Sequence, residues 1–371
     1  FRDYRLEFEE RNMVTHQVRG EHYIGQDTKS ILPFLNFLPD GTRIDWYYSE
    51  SEAMTDIPSK VEISSDTSTD RDTGEVLSER VRLTSSAADY RFTDLDDEVI
   101  NYAWNGMVPL EFGNNYVEVS GGYDHRKKAR QYYQAEFSLG YLEVSDPSVL
   151  QGPLNEVFSE ERILAQSGPD EYANNAVFDR QGANTNSYFA ATMTDSVWGS
   201  VDWTWDNTWR FNVGARWEDY RQAAVTWNPF GFSLDNPQIP TDVETLENSV
   251  FNEDKIYPAV GITYMGSLWA DTFQLRFGYS ETAVRPDLRE ITPSSYIDPI
   301  TDDLVRGNPG IVPAEVKNFD VRAEWFFANG DNFTVSGFYK DLLNPIEFFE
   351  IPASDTTIAR EVVNSESAEV Y

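Results

Sequence analysis

The 371-residue chain contains no cysteine, which removes disulfides, zinc–thiolate sites and thiol catalysis together. Its only histidines, His16, His22 and His125, are too scattered for a metal-ligand spacing. No run of about 18 apolar residues occurs, so transmembrane helices are excluded. Basic residues are scarce: 29 Lys and Arg stand against 63 Asp and Glu, a net charge of −34. That balance argues against nucleic acid as a partner, because phosphates demand a basic surface. No G-x-S-x-G elbow, P-loop or zinc-hydrolase motif is found, and abundant carboxylates are not a positioned acid–base pair. No enzymatic activity, cofactor or metal is expected. The chain opens on FRDYRLEFEE with no basic n-region or apolar signal stretch. It begins and ends within strand-like patterns, and is read as a piece of a longer protein.

Aromatic residues, by contrast, are plentiful: 10 Trp, 20 Tyr and 23 Phe make 14% of the chain. Such content opposes disorder despite the charge. In WTWDNTWRFNVGARWEDY (203–220), Trp209, Phe211, Val213, Ala215 and Trp217 share one face. Arg210, Asn212, Gly214, Arg216 and Glu218 share the other. Phe273–Tyr279, Phe319–Phe327 and Phe333–Tyr339 alternate in the same way. A period of two over ten or more residues specifies a strand, and soluble strands usually stop after about five or six.

Connections alternate in length. Short turns are predicted near 111–115, 206–208, 267–271 and 328–331, and long polar connections over 54–97, 131–185, 223–252, 283–313 and 346–360. About eleven strands result: 3–24, 42–53, 98–110, 116–130, 186–205, 209–222, 254–266, 272–282, 314–327, 333–345 and 361–371. The first reads as one strand or two. Short turns at one end and long loops at the other are the habit of an outer-membrane barrel, with periplasmic turns and extracellular loops. The predicted fold is all-β, a segment of a transmembrane antiparallel β-barrel. Aromatics gather at the short turns (Trp203, Trp205 and Trp209; Tyr264, Trp269 and Phe273; Trp325, Phe327 and Phe333). A ring with an apolar body and a polar tip settles at the headgroup level. The aromatic face then looks at lipid and the charged face at a wet lumen. The competing reading is a soluble β-protein with these aromatics in its core.

Three ordered stretches, FGYSETAVRPDLREITP, GNPGIVPAEVKNFDVRAEWFF and VSGFYKDLLNPIE, lie between Phe277 and Glu347. This segment resembles the barrel of TonB-dependent outer-membrane receptors. FEERNMVTHQVRGEHYIG, RIDWYYSESEAMTDIPSK and NVGARWEDY are similar to earlier strands of that barrel. The resemblance implies a closed barrel of about 22 strands around a folded plug. It also implies a scarce nutrient bound at the outer face and an inner-membrane TonB complex pulling on the plug. Residues 1–371 are then one partial barrel domain, with the N-terminal plug and the remaining strands outside it. Tyr371 is read as a cut, not a natural barrel end.

Six charges on polar strand faces, Arg216, Glu218, Arg276, Asp320, Arg322 and Glu324, are candidates for ligand passage or plug contact. A structural ladder of cross-strand pairs is the alternative. Arg285, Pro286, Gly307, Asn308 and Pro309 read as devices for leaving and rejoining the sheet. The run HRKKAR is the one dense basic stretch, and Arg126, Lys127, Lys128 and Arg130 are candidates for lipopolysaccharide phosphates. Trp227, Phe230, Phe232 and Tyr296 would stack on a sugar or siderophore ring, or else pack loops together. DRDTGE (70–75) loosely fits a calcium turn but fails the EF-hand spacing.

The expected function is uptake of a scarce nutrient of siderophore, cobalamin or oligosaccharide class across a bacterial outer membrane, by TonB-coupled gated passage. The expected partners are outer-membrane lipid and lipopolysaccharide, the TonB complex through the plug, and the nutrient, with the barrel monomeric. The rivals are an unplugged porin-like channel and a soluble carbohydrate-binding β-protein.

Overall fold

The computed structural model describes residues 1–164, 174–179, 187–228, 243–297, 304–352 and 358–371. In chain order the strands are β1 (Arg2–Ile24), β2 (Thr42–Thr69), β3 (Val76–Val81), β4 (Ala88–Phe112), β5 (Asn115–Gly140), β6 (Val177–Asp179), β7 (Ser187–Trp205) and β8 (Trp209–Trp227). They continue with β9 (Val250–Gly266), β10 (Thr272–Val284), β11 (Ser295–Ile297), β12 (Leu304–Arg306), β13 (Ala314–Phe326), β14 (Asn332–Leu343), β15 (Ile346–Pro352), β16 (Ile358–Asn364) and β17 (Ser367–Val370).

One 13-stranded sheet dominates, in the order β1-β2-β4-β5-β7-β8-β9-β10-β13-β14-β17, with β3 added to β2 and β6 to β5. Its neighbours are antiparallel and follow chain order, as a meander demands. The eleven strands of this path agree with the pattern read from the sequence. Among the described residues its two ends, β1 and β17, are not paired with each other.

Register shows why the alternation carries meaning. Trp46, Trp104, Tyr123, Val197, Trp217 and Ile256 stand side by side across six strands. A second row holds Val117, Trp203, Phe211, Ile262, Phe277 and Val321. These side chains are exposed or half-buried although apolar, Ile256 exposed by 59%. No layer covers them in the described residues, so the sheet has an apolar outer face without a packed partner. On β8 the apolar stretch runs from Trp209 to Trp217. At about 3.3 Å per residue and a tilt near 40° it spans roughly 20 Å, close to the lipid-facing band of a barrel. At the turn end, Trp209 meets Tyr264 at 5.0 Å, Phe273 meets Trp325 at 5.1 Å and Trp325 meets Phe333 at 5.5 Å, a girdle of rings.

The tight connections lie where expected. Asp206 and Asn207 adopt φ of 49° and 52°, the left-handed pair that suits a short hairpin. The connection 25–41, at the same end, instead holds a helical turn (Gln26–Ile31) and a 3-10 turn (Pro33–Phe37), which the alternation pattern does not announce.

Three expectations need correction. Most of 54–97 and the first ten residues of 131–185 are strand, because β2, β4 and β5 continue well past the apolar band. One extra residue of β2, between Asp56 and Lys60, shifts its register against both β1 and β4 there, so the alternation of β2 loses phase. The final strand is split: β16 pairs in parallel with β12 in a second sheet, ordered β11-β12-β16-β15, and only β17 rejoins the main sheet. Asn364 ties these loops together, accepting from Val312 N–H at 2.9 Å and donating to the carbonyls of Val312 and Asn344.

Buried apolar clusters are small and lie at the loop end. One joins Tyr141, Leu150 and Val157 to Ala88 and Leu139, another seats Leu288 and Ile291 on Tyr188, Ala190 and Ala224, and a third joins Val305, Ile311 and Val362. Replacing Val213 by Arg, at the middle of the apolar stretch, is expected to cost about 2–4 kcal/mol, while Val213→Leu costs under about 1. Urea unfolding from lipid vesicles measures both.

Candidate functional site

On the inner face, alternate residues Arg216 and Glu218 of β8 meet partners from strands remote in sequence. Arg216 donates to Glu218 at 2.6 Å, to Ser196 Oγ at 2.5 Å and to Asp124 at 3.3 Å. Tyr47 O–H reaches the other oxygen of Asp124 at 3.3 Å. Register brings them together, since Asp124 stands opposite Ser196 and Ser196 opposite Glu218.

Arg285, the first residue after β10, completes the cluster. Its guanidinium donates to Glu218 at 3.0 Å, Glu253 at 3.1 Å and Tyr257 Oη at 2.9 Å, and lies 4.1 Å from the Tyr220 ring centre. Its side chain is only 20% exposed. A guanidinium so enclosed needs several acceptors and a ring face to replace its water.

Beyond Arg285 the chain turns onto the inner face. Asp287 pairs with Lys128 at 3.2 Å and Arg130 at 3.5 Å, while Leu288 and Ile291 seat on Tyr188, Ala190 and Ala224. Gln222 secures the returning segment by donating to the carbonyl of Ile311 at 2.9 Å. Gly307 is required here: a Cβ on it would lie 2.2 Å from the carbonyl of Thr292 and 2.5 Å from that of Arg289. This accounts physically for the Gly-Asn-Pro signature. Burial works to raise the Asp287 pKa. The Arg289 backbone N–H and the charges of Lys128 and Arg130 outweigh it and hold the carboxyl below its usual range. Glu290 goes the other way, pushed up by burial and by Asp287 against its hydrogen bond from Asp287 N–H.

The six predicted lumen charges therefore fall into three places. Arg216 and Glu218 belong to the cluster above. Arg276 and Arg322 are opposite each other and share the buried Glu324, at 3.4 and 2.7 Å. The two arginines are 50% and 51% exposed against 8% for the carboxylate. Asp320 stands apart, exposed and opposite Gly278. Sequence reasoning missed Asp124, Ser196, Tyr220, Glu253 and Tyr257 as partners and took Arg285 for a loop device; no local signal marks them.

The basic run is largely turned the other way from expectation. Lys127 shares the outer face, 3.8 Å from Glu98, but Arg126, Lys128 and Arg130 face inward because they alternate with it. Those three are thus directed away from lipopolysaccharide. Trp227 packs on Phe189 and Tyr133 at ring distances of 5.8 and 5.7 Å, and Tyr296 lies in β11 opposite Val305. Phe230 and Phe232 lie outside the described residues. In DRDTGE the Asp70 carboxylate accepts the N–H groups of Asp72 and Thr73, capping the hairpin tip. Among the described residues no group of His, Asp and Glu is arranged to hold a metal. A concavity of about 710 Å³ is lined mostly by outer-face residues such as Val14, Glu98, Ala129, Ala191 and Ala223, so it is separate from the lumen cluster.

An apolar outer face, aromatic girdle, ion-paired inner wall and long loops folded onto that wall define an outer-membrane β-barrel of the transport-receptor class. Residues 13–371 match the family described as TonB dependent receptor-like, beta-barrel, and the chain belongs to it. Its members are transport receptors of the bacterial outer membrane, not enzymes. In fold the chain is similar to the copper transporter OprC (11% identity, TM-score 0.53, 96% of this chain and 42% of that one). It is also similar to the closed form of the ferric-catecholate import receptor Fiu of E. coli K12 (12% identity, TM-score 0.50, 96% and 43%). The chain thus spans less than half the length of these receptors. No curated protein matches the sequence.

Removing the Arg285 guanidinium leaves Glu218 and Glu253 facing each other. Arg285→Met is expected to cost the inward segment on the order of 3 kcal/mol, speeding tryptic cleavage at Arg289 roughly a hundredfold. For Asp287 the depressed pKa sets the sign: its stabilisation is complete above the unfolded value of about 3.9 and is lost as pH falls through the lower folded value. Hydrogen exchange of the 287–294 amides is expected to accelerate only below that range.

Proposed function

We propose that this chain is the barrel wall of a receptor that takes up a scarce nutrient by TonB-coupled gated passage, with a plug and further strands completing the pore. The observation that carries the reading is the inward segment after β10, held to the inner wall at Arg285 and Asp287. A segment tied to the inner wall at two points narrows the way past it, and gated passage has a use for such a part because it is movable. The known receptors of similar fold, named for copper and for ferric catecholates, support a metal-bearing nutrient as one substrate class. Lipid and lipopolysaccharide surround the barrel, which works as a monomer.

Collapse of the proton-motive force, or loss of the TonB complex, is expected to abolish nutrient uptake by cells that depend on this protein while leaving surface binding intact. Uptake that continues unchanged and never saturates would favour the porin-like reading instead.

A further inference from the structure

That reading uses Lys128 and Arg130 of the basic run of β5 only as partners of Asp287, and gives Arg126 no role. Arg126 stands opposite Asn101 and Thr194, Lys128 opposite Val99 and Thr192, and Arg130 opposite Asp97 and Ala190, all on the inner face. Alternate residues of a strand are about 7 Å apart, so the three cations climb the wall as a ladder. Their counter-charges thin out along it. Arg130 grips Asp97 with two bonds, both 2.6 Å. Among the described residues Lys128 pairs only with Asp287, at 3.2 Å. Arg126 is exposed and makes no ion pair or hydrogen bond among the described residues.

An unmatched cation is unexpected in a chain of net charge −34. The neighbouring carboxylate, Asp124, is already engaged by Arg216 and Tyr47. Asp287 comes from a loop, is half exposed, and sits beyond the roughly 2.7–2.9 Å of a strong charge-assisted bond. It holds two cations loosely where Asp97 holds one tightly.

We infer that Arg126, Lys128 and Arg130 form an oxyanion-binding ladder in the lumen, with Asp287 as an internal stand-in that an anionic ligand displaces. The inference rests on the receptor reading and narrows its ligand to one bearing carboxylate, phosphate or sulfate groups able to bridge two rungs. Guanidinium and ammonium groups both recognise such oxygens. Exchange of one anion for another leaves no cation bare, so the segment beginning at Asp287 is released without exposing a buried charge.

Lys127 and Lys128 are neighbours on opposite faces, which supplies an internal control. In protein purified from outer membranes, acylation of each lysine is followed by mass spectrometry with tripolyphosphate, against sodium chloride of equal ionic strength. Tripolyphosphate is expected to slow labelling of Lys128 roughly tenfold and to leave Lys127 unchanged. Arg126→Gln removes most of that protection. Asp287→Asn tightens tripolyphosphate binding, read by titration calorimetry, by about tenfold, a gain that a merely structural ion pair does not give. Equal slowing at both lysines, or no binding in either the native or the Asp287→Asn protein, overturns the ladder. These readouts use no nutrient, so their failure is separate from a failure of energy-dependent uptake.

Discussion

Everything in this structure depends on a backbone whose hydrogen bonds are met by neighbouring strands while its side chains strictly alternate. In lipid no water is present to satisfy an N–H or carbonyl, so the ladder itself must do so. Register across β2 to β14 then commits each residue to lipid or to the lumen. A slip of one residue would turn Trp217 inward and Arg216 outward. The cost of such a slip, a guanidinium in hydrocarbon, keeps strands of nineteen residues such as β7 and β8 in step.

The same commitment explains how a chain of net charge −34 builds a wall of ion pairs. Within the apolar band the outer face admits almost no charge, so the cations of those strands gather inside. There water lowers the desolvation cost and opposite charges on adjacent strands interlock. Glu324, shared by Arg276 and Arg322, and Asp124, shared by Arg216 and Tyr47, are such arrangements. Beyond the band the outer face loses this constraint, and acidic side chains such as Asp56 and Asp94 stand directly opposite each other.

Legibility in the sequence follows the same physics. The order and faces of the eleven main strands were readable because hydrophobic contrast marks them wherever lipid is on one side. Where β2, β4 and β5 pass into water, contrast disappears, and an extra residue in β2 reverses its phase; strand there resembles loop. The inward orientation of Arg216 and Glu218 was legible from their own strand. Their partners were not: Asp124 is 92 residues from Arg216 and Arg285 is 67 from Glu218, and only register and a returning loop bring them together. The basic run misled because it was treated as a patch, whereas alternation divides it between two faces.

The segment after β10 is graded in how firmly it is held. Its root, Arg285, has three polar partners within 3.1 Å and an aromatic face, nearly enclosed. Two residues on, Asp287 makes longer and half-exposed pairs. Leu288 and Ile291, fully buried, contribute roughly 1.5–3 kcal/mol each but have no directional bonds of their own to the wall. A competitor for Lys128 and Arg130 therefore meets the weaker polar anchor first, and the apolar seat and the Gln222 bond to the returning segment then resist movement. With Arg285 the more firmly held of the two, the end of β10 is the natural pivot for a displacement that would take the apolar pair away from Tyr188 and Ala224. A firm root with a looser tip lets a loop vacate a lumen without loosening the strand that carries it.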